Sequence, residues 1–168
     1  MSIRLQNMTK DLARKYFRSF VPDPDLFLDK SQYMPYVYSD EKADAVVARY
    51  QQLGRVYLAV MLDQAPIGEV ILKNIDRTQK HCTLGISMQS DAYKNKGYGT
   101  QAEKLALRYA FTELGMEKVL ADALVTNRRS QHVLEKAGFV ETRRDGSFIY
   151  FECDKTAWIG SQQAASGC

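Results

Sequence analysis

Residues 84–111, LGISMQSDAYKNKGYGTQAEKLALRYAF, decide the fold, because a strand pattern, a glycine-bearing turn and a helical pattern follow one another directly. Apolar side chains alternate with small or polar ones up to Met88, which predicts a strand with one buried face. From Thr100 the apolar residues recur at steps of three and four, which predicts a helix that Gly115 closes. A turn between such a strand and such a helix is a typical place for an anion site.

The turn itself, residues 94–100 with the sequence KNKGYGT, has the composition of a phosphate-binding loop. Its glycines permit backbone angles and close approaches that a side chain would forbid. Free N–H groups at the start of the helix, the helix dipole and two lysines all favour an anion there. We therefore expect a phosphate-bearing ligand to contact Lys94, Asn95, Lys96, Gly97, Tyr98, Gly99 and Thr100.

Three kinds of phosphate loop were compared with this turn. The P-loop string G-x-x-x-x-G-K-(S/T) does not occur in the chain, so a P-loop ATPase is excluded on this motif. A Rossmann dinucleotide site fits the string better, since Gly97-x-Gly99 continues to Ala102 as G-x-G-x-x-(G/A) and Asp122 follows about 20 residues later. However, polar residues separate these glycines from the strand, and Asp122 falls inside a strand pattern. An NAD(P)-binding oxidoreductase remains an alternative.

The third kind of loop rests on two motifs. The turn, Lys94-x-x-Gly97-x-Gly99, resembles motif A of the GNAT superfamily of acetyl-CoA-dependent N-acetyltransferases, (Q/R)-x-x-G-x-(G/A), with Lys in the first position. Residues 127–139, NRRSQHVLEKAGF, resemble motif B of that family, N-x-x-S-x-x-(V/L)-x-x-K-x-G-F. The pair is most similar to the branch of ribosomal-protein alanine acetyltransferases of the RimJ and RimL type, and the resemblance covers residues 67–151.

The periodicity of the remaining chain predicts elements in the order β-α-α-β-β-β-α-β-α-β-β, which is the order of the GNAT fold. The expected class is α/β (α+β), with a mixed, mainly antiparallel, twisted sheet of about seven strands flanked by about four helices. We expect one domain over residues 1–159 and a disordered tail over residues 160–168, whose composition is small and polar.

Composition narrows the classes of function. The chain has 168 residues and a net charge of +3 from 23 basic and 20 acidic residues, a balance that does not favour nucleic acid as a partner. Neither a signal peptide nor an apolar run of membrane-spanning length is present, so we expect a cytoplasmic protein without a membrane partner, as a monomer or homodimer. Three cysteines without C-x-x-C and two histidines predict no metal site.

The resemblance implies acetyl transfer from acetyl-CoA to a primary amine, either a protein N-terminal α-amine or a small-molecule amine, by direct attack on the thioester. It implies that a main-chain N–H of the strand around Ile86, Ser87 and Met88 stabilises the oxyanion, and that the backbone of the same strand pairs with the pantetheine arm. Asn127 either bonds the pantetheine amides or caps its own helix. A non-catalytic acyl-CoA-binding module is the third alternative.

Proton transfer has several candidate residues. The family's usual acid is a Tyr four residues before the motif B glycine, and this chain has Leu134 there. Ser130 is the candidate acid that the resemblance leaves. Glu69 in IGEVIL and Asp122 in LADALV are candidate bases, because a carboxylate is unusual within an apolar strand pattern and can mark a functional site. Each can instead face solvent on the open side of its strand. Residues 26–38 are the expected acceptor side.

Overall fold

The computed structural model describes residues 2–167 of the chain. Seven strands form one sheet in the order β1-β2-β3-β4-β5-β7-β6. The strands are β1 (Ile3–Asn7), β2 (Val56–Leu62), β3 (Ala65–Asp76), β4 (His81–Met88), β5 (Lys118–Leu124), β6 (Val140–Arg144) and β7 (Phe148–Asp154). The helices are α1 (Lys10–Arg18), α2 (Asp40–Gln52), α3 (Tyr98–Thr112), α4 (Arg128–Ala137) and α5 (Lys155–Ser166), with short 3-10 helices at Pro24–Leu26, Lys30–Gln32 and Asp91–Tyr93.

The predicted fold class and order of elements are confirmed, with one addition at the C-terminal end. A fifth helix, α5, occupies residues 155–166, where disorder was expected from residue 160 onward, so that expectation is corrected up to Ser166. Trp158 holds the helix to the domain, because its ring lies 5.2 Å from the ring of Phe111. The alanines and glutamines that looked like a polar tail are also good helix formers. Cys168 lies outside the described residues.

The sheet has a core on each face. Strand β2 shows how one sequence serves both, since side chains alternate between the two faces of a strand. Leu58 and Val60 pack in the core under α3 and α4, whereas Tyr57, Ala59 and Met61 pack in a second core under α1 and α2. The second core is rich in aromatic rings from α1 and from the segment before α2.

Strands β4 and β5 are neighbours for only part of their length. They pair in parallel at three positions, His81, Cys82 and Thr83 opposite residues 118–120. From Leu84 to Met88 strand β4 remains paired with β3, but its other edge has no register with β5 in the described part of the chain. Backbone N–H and C=O groups of a strand need partners, so this open edge favours an extended ligand.

Candidate active site

The start of α3 is built from glycine geometry, as the sequence predicts. Gly97 is the residue before the helix and has φ 80° and ψ −2°, the left-handed conformation, and no side chain caps the helix at this end. Asn95 also has a positive φ of 57°. At Gly99 an added Cβ would lie 3.6 Å from Cγ1 of Val133 in α4, so the glycine lets the two helices approach each other. The first N–H groups of α3 are thus presented to an anion.

A cavity of about 330 Å³ lies between this helix start, the end of β4 and α4. Nine of the eleven predicted cofactor-binding residues line it: Ile86, Ser87, Met88, Lys94, Asn95, Gly97, Gly99, Thr100 and Asn127. The candidate acid Ser130 lines it as well. Lys96 and Tyr98 do not line it. The Lys96 side chain is exposed, and Tyr98 is buried in the core under α3.

A second cavity of about 220 Å³ adjoins the first and reaches into the gap between β4 and β5. Residues 84–86 of β4 and 121–124 of β5 line it. The two cavities share the residues Leu26, Ile86, Glu103, Asn127 and Ser130. Together they form a groove that runs from the glycine loop along the open edge of β4.

An ion cluster closes one wall of the first cavity. The Nζ atom of Lys94 lies 2.7 Å from Asp23 and 2.5 Å from Asp91, and the Lys94 side chain is only 9% exposed. The guanidinium of Arg129 also donates a hydrogen bond to Asp23. Burial alone would raise the pKa of Asp23, but the bond from Lys94 and the nearby cations outweigh it, and the pKa is lowered. Asp23 is therefore an anion held between two cavity-lining cations.

Asn127 is the helix cap that the sequence suggested as one alternative, and it also lines the groove. Its side-chain oxygen accepts a hydrogen bond from the Ser130 N–H at 3.1 Å, which caps α4. The same buried side chain lines both cavities. Capping fixes the orientation of the amide, so Asn127 is presented to the groove as part of a rigid helix start.

Glu69 lies on the other face of the sheet. It is opposite Ser87 of β4 and Ala59 of β2, and it lines neither cavity. The hydroxyl of Tyr57 donates to Oε2 of Glu69 at 2.5 Å. Burial raises the pKa of Glu69 to about 7, and the bond from Tyr57 only partly opposes this rise. A carboxyl with this pKa is half ionised near neutral pH, as a general base requires.

The other two candidates differ from Glu69 in position. Asp122 is exposed on β5 opposite Tyr150, so its carboxylate has the solvent-facing position that the sequence left open. Ser130 lines the junction of the two cavities. The structure therefore does not bring the three proposed catalytic residues together: Ser130 lies in the groove, Asp122 at its outer rim and Glu69 behind β4.

Glu103 is a site residue that sequence reasoning missed. Its side chain is 1% exposed, its Oε2 atom has no hydrogen-bond partner among the described residues, and it lines both cavities. Burial raises the pKa of this carboxyl to about 8. The available signal was its place in α3 directly after Ala102 and four residues before Leu107, on the apolar side of the helix.

Residues 2–167 lack two further kinds of feature. No cluster of three or more His, Cys, Asp or Glu side chains has the arrangement of a metal site. No helix in that range combines the length and the apolar composition needed to cross a membrane.

A splayed pair of central strands, a glycine-opened helix start and a groove between them define an acetyltransferase of the GNAT class. Residues 2–140 match the family described as "Acetyltransferase (GNAT) domain", and the chain belongs to it. Among curated proteins it is similar to "Putative ribosomal N-acetyltransferase YdaF" of Bacillus subtilis (strain 168), with 27% identity over 124 residues, which are 68% of this chain and 67% of that protein.

Solved structures agree at the level of the fold. A mutant of the spermidine N-acetyltransferase SpeG from Vibrio cholerae is 18% identical, with a TM-score of 0.72 over 95% of this chain and 99% of that chain. AAC(6')-Ib in complex with ribostamycin and coenzyme A is 16% identical, with a TM-score of 0.77 over 95% of this chain and 97% of that chain. The GNAT sheet also rules out the Rossmann alternative for Gly97-x-Gly99, because β5 pairs antiparallel with β7 and just one strand pair within residues 2–167 is parallel.

Proposed function

We propose that this chain transfers the acetyl group of acetyl-CoA to the α-amine of a protein N-terminus, as in the RimJ and RimL branch. The observation that carries the proposal is the groove, which joins the uncapped start of α3 to the unpaired edge of β4. A ligand with a diphosphate at one end and an amide-containing arm at the other matches both features.

The residues of this groove fit acetyl-CoA in charge and in shape. The N–H groups after Gly97 suit a diphosphate, and Lys94 and Arg129 supply cations beside them. An ideal Cβ at Gly97 would meet only Nε2 of Gln101, at 3.9 Å, so there is open space above the glycine. The backbone of residues 86–88 and the amide of Asn127 suit the pantetheine arm. Bound acetyl-CoA supplies a thioester that is already activated for attack.

Glu69 is the proposed base for the attacking amine. Its pKa of about 7 lets it accept a proton near neutral pH, either directly or through one water. The Tyr57 hydroxyl holds one carboxylate oxygen and leaves the other for this transfer. A protein α-amine has a pKa of about 7.7 to 8.0, whereas an alkylamine has a pKa of about 10.4. The α-amine therefore gives up its proton to a base such as Glu69 more easily.

A main-chain N–H of β4 is the proposed donor to the developing oxyanion. The unpaired stretch of β4 begins just after Thr83, and Ile86, Ser87 and Met88 line the first cavity. Backbone donors on a strand that is fixed by β3 on its other edge require little reorganisation during the reaction. Ser87 also faces Glu69 across the β3–β4 pair, so one residue of β4 borders both the groove and the base.

The acceptor-side segment favours a polypeptide over a polyamine. A polyamine site requires free carboxylates, but the aspartates at positions 23, 25 and 29 already have partners. Asp23 is bound by Lys94, Asp25 accepts from Lys30 at 3.3 Å, and Asp29 accepts from the Ser31 N–H at 2.9 Å.

The exposed side chains of the same segment are apolar. Met34 is 75% exposed and Val37 is 69% exposed, and both follow the short helix Lys30–Gln32. Exposed apolar side chains beside a site are typical of a surface that contacts another protein. The name of the YdaF relative, which refers to a ribosomal N-acetyltransferase, supports the same class of acceptor.

Thiol release from acetyl-CoA, measured with a panel of acceptors, tests the proposal. The panel contains N-terminal peptides, the same peptides with a blocked α-amine but a free lysine, polyamines and aminoglycosides. We expect release only with free N-terminal peptides, at a rate that stops rising near pH 8 as the α-amine becomes neutral. Turnover confined to polyamines or aminoglycosides, or a rate still rising past pH 9, would contradict the choice of acceptor.

A thermal-shift experiment, combined with the turnover assay, distinguishes an enzyme from a non-catalytic acyl-CoA-binding module. Acetyl-CoA at about 100 times its dissociation constant contributes about 2.7 kcal/mol of stability, which raises the melting temperature of a domain of this size by roughly 5 to 11 °C. The same shift without turnover on any acceptor identifies a non-catalytic acyl-CoA-binding module. The absence of a shift would show that the groove does not bind acetyl-CoA.

A further inference from the structure

Glu103 is a buried acid that no step of the proposed mechanism uses. We propose that Glu103 gives its proton to the sulfur atom that leaves the acetyl group, an inference that rests on the proposed acetyl transfer. The residue is 1% exposed, one of its carboxyl oxygens has no hydrogen-bond partner among the described residues, and it lines both cavities of the groove.

The position of Glu103 on α3 directs it toward α4. Residues four apart lie on the same face of a helix, and Gly99 is the residue one turn before Glu103. Gly99 faces Val133 of α4, as its 3.6 Å spacing shows. Ser130 and Leu134 of α4 line the second cavity together with Glu103. Glu103 therefore stands at the inner part of the groove, away from the glycine loop.

The inner part is where the reacting end of the substrate belongs. A substrate held by its phosphates at Gly97 and laid along the open edge of β4 extends from residue 88 toward residue 84. That path leads from the first cavity into the second, and Glu103 stands where the two meet. The first cavity holds other side chains that could give up a proton, but none of them lines the second cavity: Tyr93, Lys94, His132 and Lys136.

No cation neutralises Glu103 in the described structure. The other charged groups of the second cavity are Lys73 on β3 and Asp122 on β5, and neither forms an ion pair with Glu103 among the described residues. In the first cavity Lys94 and Arg129 are bound to Asp23, and Lys136 of α4 does not line the second cavity. Burial without an ion pair keeps the carboxyl protonated at neutral pH, with its pKa raised to about 8.

The proton balance of the step is complete. The amine nitrogen bonds to the acetyl carbon, and the proton it loses goes to Glu69. The carbon–sulfur bond breaks, its electron pair goes to sulfur, and the carboxyl proton of Glu103 forms the S–H bond, directly or through the hydroxyl of Ser130. Glu103 is left as a carboxylate and Glu69 as a protonated acid. After the thiol leaves, Glu69 releases its proton to solvent and Glu103 regains one from solvent. An alkyl thiol has a pKa near 8.5, which matches that of the donor closely enough for efficient transfer.

The main test is the Glu103→Gln variant, with Glu113→Gln as the matched control at the exposed C-terminal end of α3. We expect Glu103→Gln to lower kcat at pH 7 about 100-fold with a change in KM for acetyl-CoA of less than about 3-fold. The wild-type rate should fall above pH 8 as Glu103 ionises, and this fall should be absent from the variant. A thioester of an acidic aromatic thiol, whose sulfur needs no proton to leave, should restore most of the lost rate.

Two measurements without turnover complete the test. Carbon-13 NMR of the glutamate carboxyls in the free protein should show one group titrating near pH 8, and its signal should be missing from Glu103→Gln. Calorimetry should give the same dissociation constant for CoA in wild type and variant. Glu103→Leu replaces the variant if Glu103→Gln does not fold.

Several outcomes would overturn the inference. If Glu103→Gln keeps the wild-type kcat, or loses as much kcat with the aromatic thioester as with acetyl-CoA, then Glu103 does not protonate the leaving sulfur. A CoA affinity weakened more than about 10-fold with kcat retained makes Glu103 a binding residue. A wild-type protein that releases no thiol with any acceptor instead contradicts the proposed function, and this result is known before any variant is made.

Discussion

The two sides of β4 carry different parts of the candidate site and are built in different ways. On the side of α3 and α4 the groove is made mainly of backbone: the left-handed Gly97, the open helix start and the unpaired edge of residues 84–88. On the side of α1 and α2 the base is made of side chains, with Tyr57 bound to Glu69 and the rings of Tyr16 and Tyr50 around it. A backbone site depends on a few local residues, whereas a side-chain site depends on several distant elements.

The largest effect should come from a single added side chain on the backbone side. Gly97→Val fills the open space above the glycine and forces a β-branched residue to φ 80°. We expect CoA binding to weaken at least about 100-fold, because the diphosphate then loses its approach to the N–H groups of α3. Calorimetry with CoA measures the change.

Gly54→Val is the matched control for backbone strain. Gly54 has φ 65° and no atom within 4 Å of an added Cβ, and it lies between α2 and β2, away from the groove. Each variant should lose a similar amount of stability, on the order of 1 to 3 kcal/mol. Normal CoA binding by Gly97→Val would show that this loop is not the phosphate site.

The parts of the site that are made of backbone could be predicted from the sequence, whereas the contacts between distant side chains could not. Glycine conformation and hydrophobic period are local properties, so the loop, the order of strands and the position of Gly97 could be predicted. The ion pair between Lys94 and Asp23 could not be predicted, because Asp23 comes from a distant turn. The helical period places Glu103 on the apolar side of α3, but only the packing of α3 shows that the carboxyl is buried, with one oxygen unpartnered among the described residues.

The second prediction concerns Glu69, on the side of the sheet where the site is made of side chains. Glu69→Gln should lower kcat about 100-fold to 1,000-fold and leave CoA affinity unchanged, because Glu69 lies outside the groove. A base acts in its ionised form, so the wild-type rate should rise with pH through about 7. The variant should lose this rise, and a full pH profile of kcat measures both effects.

Tyr57→Phe sharpens the assignment of Glu69. Removing the hydroxyl takes away a hydrogen bond that lowers the pKa of Glu69, so the acidic limb of the rate profile should move to higher pH. A limb that stays in place in Tyr57→Phe and persists in Glu69→Gln would assign the base to another group.

The third prediction concerns Glu103 and Glu69, the two carboxyls whose pKa is raised, and how each changes the free energy of unfolding with pH. The folded-state pKa of Glu103 is about 8 and its unfolded value is about 4.3, so the folded state binds more protons between these pH values. The free energy of unfolding must therefore fall as pH rises through this window. Glu103→Gln should remove that fall and gain on the order of 2 to 5 kcal/mol over wild type at pH 8.5, with little difference at pH 5.

Urea unfolding at the two pH values measures the gain. Glu69→Gln should also be more stable than wild type at pH 8.5, but by a smaller amount, because the pKa of Glu69 is raised only to about 7. Glu113→Gln, on the exposed end of α3, should show neither effect. An equal stability of wild type and Glu103→Gln at pH 8.5 would mean that the carboxyl finds a partner in solution.

The smallest effect concerns the aspartate that connects the acceptor segment to the groove. Asp23 occupies both Lys94 and Arg129, the cations proposed for the diphosphate, so its carboxylate competes with the ligand for them. Asp23→Asn should tighten CoA binding about 2-fold to 5-fold, since an ion pair with partial access to water contributes up to about 1 kcal/mol. Lys94→Ala should have the opposite sign, and both effects should shrink at high salt.

Asp29→Asn controls for the loss of a negative charge in the same segment. Asp29 caps the short helix Lys30–Gln32 and has no bond to either cavity cation among the described contacts, so its variant should bind CoA as the wild type does. If Asp23→Asn binds CoA more weakly than wild type, then Asp23 holds Lys94 and Arg129 in place for the ligand instead of competing with it. The sign of one affinity change, measured by calorimetry at low and high salt, thus decides whether the acceptor segment opposes or prepares cofactor binding.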